Sequence, residues 1–334
     1  MPEPTSKEAI AMHPQSRTRA SLAAAAIATA SFANASIERE FAVSAGGRLV
    51  VDAEASDVYV SGGAEEVRVA IARRGSRDAD ILEDFDVDFR HAGDQVEVTV
   101  RVRDRSVWRR FWRDRGHLRI EAHVPHEFDA SVQTSGGDLR VTRLTGETDA
   151  RTSGGDLRFE DVDGPIRGRT SGGDIRLDGT TGLADVETSG GDIDLGDIGG
   201  EVQAKTSGGD ITVEHAAASV RATTTGGDIT IHQAADGVQA KTSGGRVRAT
   251  LTTLTQASSL TSSGGSLTLH LPERAAFDID AKTSGGRVTI AEAFAVTTRG
   301  TNSKNKVSGT VNGGGPDVHL RTSGGAIRVQ THRR

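Results

Sequence analysis

Two sets of side chains in this 334-residue sequence have the types and spacing to do chemistry. The first is a series of aspartates, Asp138, Asp156, Asp174, Asp192, Asp210 and Asp228, each 18 residues after the one before. If equal positions lie over one another at the usual interstrand distance, these carboxylates stand ~4.8 Å apart and repel by about 0.9 kcal/mol per neighbouring pair at the dielectric of water. Something must offset that repulsion. A hard divalent cation prefers several carboxylate oxygens, so the series is a candidate metal ladder. The preferred reading is that each Asp accepts backbone N–H groups at a tight turn, with Arg140, Arg158 and Arg176 two residues further on.

The second set is Trp108, Arg109, Arg110, Phe111, Trp112 and Arg113, inside a basic and aromatic insertion at 103–116 that holds both tryptophans. Interleaved rings and guanidinium groups can engage sugars, anionic lipid headgroups or phosphates. The same residues can also fold their rings onto the end of a structure as a cap, with the arginines solvated. Elsewhere chemistry is scarce. None of the ten histidines forms a His-Glu-x-x-His motif, although His215 and His232 fall near one corner of the repeat described below. No Gly-Lys-Ser/Thr follows the glycine pairs, so they are not phosphate loops. The absence of cysteine removes disulfides, thiolate metal sites, cysteine nucleophiles and a lipid-anchoring cysteine. A net charge of -6 gives no bulk electrostatic case for nucleic acid. The sequence therefore offers no catalytic residue set and calls for no cofactor.

The elements that must position these residues follow from one repeat. Thr134-Ser135-Gly136-Gly137 recurs from Thr152, Thr170, Thr188 and Thr206, as Thr-Thr-Gly-Gly from Thr224, and again from Thr242, always at 18-residue steps. Looser copies begin at Ser262, Thr283 and Thr322. Within each period, short runs alternate apolar and polar residues. Leu139, Leu157, Ile175, Ile193, Ile211, Ile229 and Val247 form an apolar column that must point inward, while the aspartates and arginines face water. A two-residue alternation repeated at a fixed interval predicts one coil per 18 residues, with like positions stacked and strands paired in parallel with their sequence neighbours. Only 4% of residues are aromatic, which suits a thin interior where Ala150, Ala204, Ala222 and Ala240 face Ile and Leu. The glycine pairs are expected to mark a corner, where a residue lacking Cβ can adopt positive φ at little steric cost, and Gly146, Gly164, Gly182 and Gly200 a second corner.

Four stretches result. Residues 1–35, with Arg17 and Arg19 ahead of an apolar run and Ala33-Asn34-Ala35, have the order of a secretory signal peptide. Residues 36–125 read as irregular β-rich coils or a cap, 126–330 as regular repeats, and 331–334 as a charged tail. No later run is long enough to span a bilayer, so a periplasmic or extracellular protein is expected.

Val124-Pro125 before the repeats, the Thr-Ser-Gly-Gly-Asp-Leu/Ile units and Val307-Ser308-Gly309-Thr310-Val311-Asn312-Gly313-Gly314-Gly315 resemble a bacterial adhesin-like family with β-strand repeats (domain of unknown function 4097 type, head-GIN-like). The resemblance covers nearly all of the chain after residue 35. It implies an all-β fold, a single-stranded right-handed parallel β-helix (solenoid) of the cell envelope, without a catalytic residue to carry over. One departure is that the Asp of the unit becomes Arg246, Ser266, Arg287 and Ala326 in the last copies. The function expected is a non-enzymatic structural or binding module, with a cell-envelope polymer, surface glycan or envelope protein as partner. The competing readings are a polysaccharide-active β-helix enzyme and a self-assembling envelope scaffold. Against the enzyme, the coils from Thr134 to Thr242 carry no insertions from which to build a cleft.

Overall fold

The computed structural model describes residues 37–73, 85–103, 118–299 and 302–332. The chain divides into two units, Met1–Ala33 and Asn34–Arg334. The first unit and the whole of the expected signal peptide lie outside the described residues.

Among the described residues every regular element is a β-strand, and the strands form two sheets of 14 and 15 members. In the middle of the chain they alternate between the sheets. One sheet, A, takes β9 (Leu139–Thr145), β11 (Leu157–Asp163), β13 (Ile175–Thr180), β15 (Ile193–Ile198), β17 (Ile211–Ala216), β19 (Ile229–Ala234) and β21 (Val247–Leu251). The other, B, takes β8 (Phe128–Thr134), β10 (Thr148–Arg151), β12 (Ile166–Arg169), β14 (Ala184–Glu187), β16 (Val202–Lys205), β18 (Val220–Thr223) and β20 (Val238–Lys241). Pairing is parallel, and residues 18 apart are partners: Leu157 with Ile175, Ile175 with Ile193, Ile193 with Ile211, Ile211 with Ile229. The apolar column expected from the sequence is buried throughout. Each Ile or Leu so enclosed contributes about 1.5–3 kcal/mol. Residue sizes compensate across the interior. A Cβ on Gly168 would sit 3.4 Å from the Phe159 ring and 3.3 Å from Leu157, so this bulky ring of sheet A faces a glycine of sheet B.

The Thr-Ser-Gly-Gly corners do not work as expected. No glycine of these tetrads has positive φ. The second glycine is required by close approach instead: a Cβ on Gly155 would lie 2.1 Å from the carbonyl oxygen of Gly137, and one on Gly173 equally close to Gly155. At the other corner Gly146 and Gly164 do have positive φ, +154° and +124°, whereas Gly182 and Gly200 do not.

At both ends stack order departs from chain order, contrary to the expectation that sequence neighbours pair throughout. Near the N-terminus come β1 (Ile37–Phe41), β2 (Gly47–Ala53), β3 (Ser56–Gly62), β4 (Val67–Arg73), β5 (Phe85–Ala92), β6 (Gln95–Val102) and β7 (Leu118–Val124). The coil β2/β3 pairs in parallel with β8 and β9 on one side and with the later coil β6/β7 on the other. Near the C-terminus come β22 (Ser258–Ser262), β23 (Leu267–Pro272), β24 (Phe277–Thr283), β25 (Val288–Ile290), β26 (Val296–Thr298), β27 (Lys306–Val311), β28 (Asp317–Thr322) and β29 (Ile327–His332). The last coil, β28/β29, lies between β22/β23 and β24/β25. Antiparallel strands cover the outer coils: β4 on β7 and β1 on β4, β5 on β6, and β27 on β24 followed by β26. The reason is physical, since an uncovered parallel edge presents unpaired N–H and C=O groups to any passing strand. Aromatic rings close the interior behind them. Phe41 and Phe89, from opposite sheets, meet with centroids 6.0 Å apart at one end, and Phe277 and Phe294 meet edge-on at 5.7 Å at the other.

Candidate functional site

The aspartate ladder is built into the backbone. Oδ1 of each Asp accepts the N–H of the residue in the same position one coil on: Asp156 N–H to Asp138 at 3.0 Å, then Asp174 to Asp156, Asp192 to Asp174 and Asp210 to Asp192, each at 2.8 Å. The series begins one coil earlier than the motif suggests, because Asp138 N–H donates to Asp57 at 3.1 Å. Asp57 escaped the sequence reading because no Gly-Gly precedes it. The series ends on Arg246, whose N–H donates to Asp228 Oδ1 and whose guanidinium grips Oδ2 at 2.9 and 3.1 Å. Burial pushes the Asp228 carboxyl up, but the backbone and side-chain hydrogen bonds from Arg246 together hold it below its ordinary value. A hydrogen bond to a charged group is worth about 1.5–3 kcal/mol net, enough to outweigh about 0.9 kcal/mol of repulsion between neighbours. Among the described residues no three His, Asp or Glu side chains are grouped to hold a metal ion.

The corner threonines form a second, buried ladder. Thr206 Oγ1 donates to the Gly191 carbonyl at 2.9 Å and accepts the Gly209 N–H at 3.4 Å, and Thr152, Thr170, Thr224 and Thr242 repeat the pattern.

A broad concavity on these coils lies at the opposite corner. An open trough of about 910 Å³ runs from Gly62 and Gly63 across successive coils to Ala235. One wall is the column Arg143, Asp161, Gly179, Asp197, His215 and Gln233, while Thr181, Gly199, Ala217 and Ala235 stand opposite. Sheet A makes this shape by bulging just before the corner. Between buried Val141 and Leu144, the two residues Thr142 and Arg143 both face outward, and the same holds for Glu160 and Asp161. Arg143 and Asp161 have φ of 54° and 52°, a left-handed conformation that costs a non-glycine residue about 1–2 kcal/mol. Small residues beyond the bulge keep the channel open.

The trough mixes donors and acceptors at the pitch of the stack, about 4.8 Å. His215 Nδ1 lies 2.8 Å from Asp197 Oδ1, and His126 Nδ1 lies 3.0 Å from the Arg143 carbonyl. The His215 and Asp197 side chains are 56% and 83% exposed, so they are solvated hydrogen-bonding groups rather than a desolvated pair. His232 is not drawn in as a partner of His215. Its Nε2 faces Glu214 Oε1 at 3.8 Å in the next column.

The site residues expected from the sequence, Trp108, Arg109, Arg110, Phe111, Trp112 and Arg113, lie outside the described residues. Their segment joins β6 to β7, the outermost parallel coil, and Arg103 just ahead of it pairs with Asp86 at 2.8 Å. The trough itself was missed. Its wall changes residue type at every coil, and the only trace in the sequence is a pair of polar residues where alternation predicts one.

No curated protein matches the chain. Several solved structures do. A cell adhesion protein by name, from Clostridium sporogenes, shares 12% identity over 89% of this chain and 99% of its own, with a TM-score of 0.20. An adhesin by name from Bacteroides fragilis shares 11% over 89% and 96%, with a TM-score of 0.32. A lipid-binding protein by name from Parabacteroides distasonis shares 11% over the same fractions, with a TM-score of 0.35. Among described residues no helix is long and apolar enough to cross a membrane. The family model for Toastrack DUF4097 matches residues 47–239 and 232–330, which takes in the parallel coils at both ends as well as the middle, and the chain therefore belongs to the Toastrack DUF4097 family.

Proposed function

We propose that this chain is a non-enzymatic binding module of the cell envelope, adhesin-like in use, whose trough takes an extended, hydroxyl-rich glycan. The observation that carries the reading is the trough's continuity. It crosses coil after coil without interruption, and its wall offers guanidinium, carboxylate, imidazole and amide groups in a line. A polymer laid along such a line gains many weak hydrogen bonds from a preformed surface, which limits the ordering cost on the protein side. The fold is read as a right-handed β-helix with 18-residue coils. Partners 18 residues apart support the coil length, and the family resemblance supplies the hand. The order of charged, apolar and small residues in 1–35 supports export, with a mature chain starting at Ser36 in the periplasm or outside the cell.

The test is a binding screen of the mature chain against glycans and envelope fractions. Three proteins are compared: wild type, a trough variant combining Arg143→Ala, Asp197→Ala and His215→Ala, and a loop variant combining Trp108→Ala and Trp112→Ala. Loss of three hydrogen-bonding groups should weaken binding by roughly a hundredfold, at about 1 kcal/mol each. Retention by the trough variant with loss in the loop variant moves the site to the insertion. Release of product from an acidic polysaccharide overturns the non-enzymatic reading.

A further inference from the structure

The last coil of the chain fills a slot that earlier residues have already bounded. β22 and β23 offer one pair of ladders, β24 and β25 the facing pair, and β28/β29 enters between them. The slot is bonded on both sides. Thr322 Oγ1 donates to the Gly265 carbonyl and Thr283 Oγ1 to the Gly325 carbonyl, each at 2.7 Å. Arg321 pairs with Asp280, and His332 Nε2 lies 2.8 Å from the Leu251 carbonyl. The linker that delivers this coil is Asn312-Gly313-Gly314-Gly315-Pro316, in which the first three residues have positive φ.

We infer that this coil is exchangeable between two copies of the chain, each placing its residues 317–332 in the other's slot. Every ladder contact named above forms equally well in trans, so only the linker distinguishes the two arrangements. A glycine-rich linker changes conformation at little steric cost. Until residues 317–332 arrive, β24/β25 has no coil to stack on, and the ladders of β22 and β23 stand open to a neighbour's strands.

The slot's own shape selects a copy of this chain over a foreign strand. A Cβ on Gly325 would lie 2.2 Å from the Gly265 carbonyl oxygen, and one on Gly286 would lie 2.3 Å from that of Gly325, so an entering segment needs this chain's Thr-Ser-Gly-Gly corner. Five linker residues reach at most about 17 Å, which requires the two C-terminal ends to face each other in a closed, twofold dimer.

The test uses Ser259→Cys with His319→Cys in the full chain, which has no other cysteine. These residues are register partners on β22 and β28, within reach of a disulfide. The variant and wild type are unfolded, refolded reduced over a range of concentrations, and sized by light scattering. While dimer is the minority species, its fraction should rise roughly tenfold for each tenfold rise in concentration. The dimer peak of the variant is then oxidised and run on a denaturing gel. A covalent dimer supports exchange, because residue 259 of one copy is then beside residue 319 of the other. A dimer peak that gives only monomer bands overturns it, as does wild type that refolds to monomer at every concentration.

Discussion

The two glycines of the Gly154–Gly155 corner differ in what lies beyond their missing methyl groups. For Gly155 it is a carbonyl oxygen 2.1 Å away, while for Gly154 the nearest atom is at 3.9 Å. Gly155→Ala should therefore destabilise the protein by about 1–3 kcal/mol through overpacking, and Gly154→Ala by no more than about 0.5 kcal/mol, as read from urea midpoints. Charge gives a second contrast. Asp194 stands where earlier coils carry Arg140, Arg158 and Arg176. Burial raises its carboxyl above the ordinary value, and Asp192, Asp174 and Glu214 add to that against the pull of Arg176. A raised carboxyl disfavours the folded state once ionised and ceases to do so as pH falls below its unfolded value. Asp194→Asn should accordingly raise the melting temperature slightly at neutral pH, with no gain near pH ~3. Glu160, Asp228 and Asp236 act in the opposite sense. Their lowered values stabilise the fold above the ordinary carboxylate range, and this contribution is lost as pH falls through the folded values.

Among the elements, the strands of the middle coils were legible because alternation and period agree: Ile175, Ile193 and Ile211 are buried and paired as their spacing requires. The glycine corners were legible in place but not in cause, since a sequence motif does not distinguish a turn that needs positive φ from one pressed against the coil below. The trough was not legible. Arg143, Asp161, Gly179, Asp197, His215 and Gln233 share position without sharing chemistry, and only a fold shows that they form a wall. Because neighbouring coils contact one another in register, a whole coil is a removable unit. Deleting residues 183–200 brings Gly182 to Glu201, a junction that restores the pattern. The shortened chain should fold cooperatively, with a trough one rise of about 4.8 Å shorter and a smaller urea m-value, scaled to the surface it no longer buries.

For the molecule as a whole the ends decide solubility. The sequence suggested neighbour-by-neighbour pairing, and the out-of-order coils could not be read from it because β2/β3 and β28/β29 carry the same alternation as the coils they separate. Removing everything after Val311 should leave β22, β23, β24 and β25 each short of a partner and promote aggregation, checked by light scattering after refolding. Loss of Arg333 and Arg334 alone should have no such effect.

The placement of β28/β29 also bears on synthesis. A stack assembled in simple order would let each new turn settle as it left the ribosome, and a prematurely ended chain would differ from the finished one only in height. Here residues 317–332 are the keystone of one end: translation has to reach them before that end can lock. An incomplete product is thus marked by its own open seam, ready for proteolysis, without any dedicated signal for length.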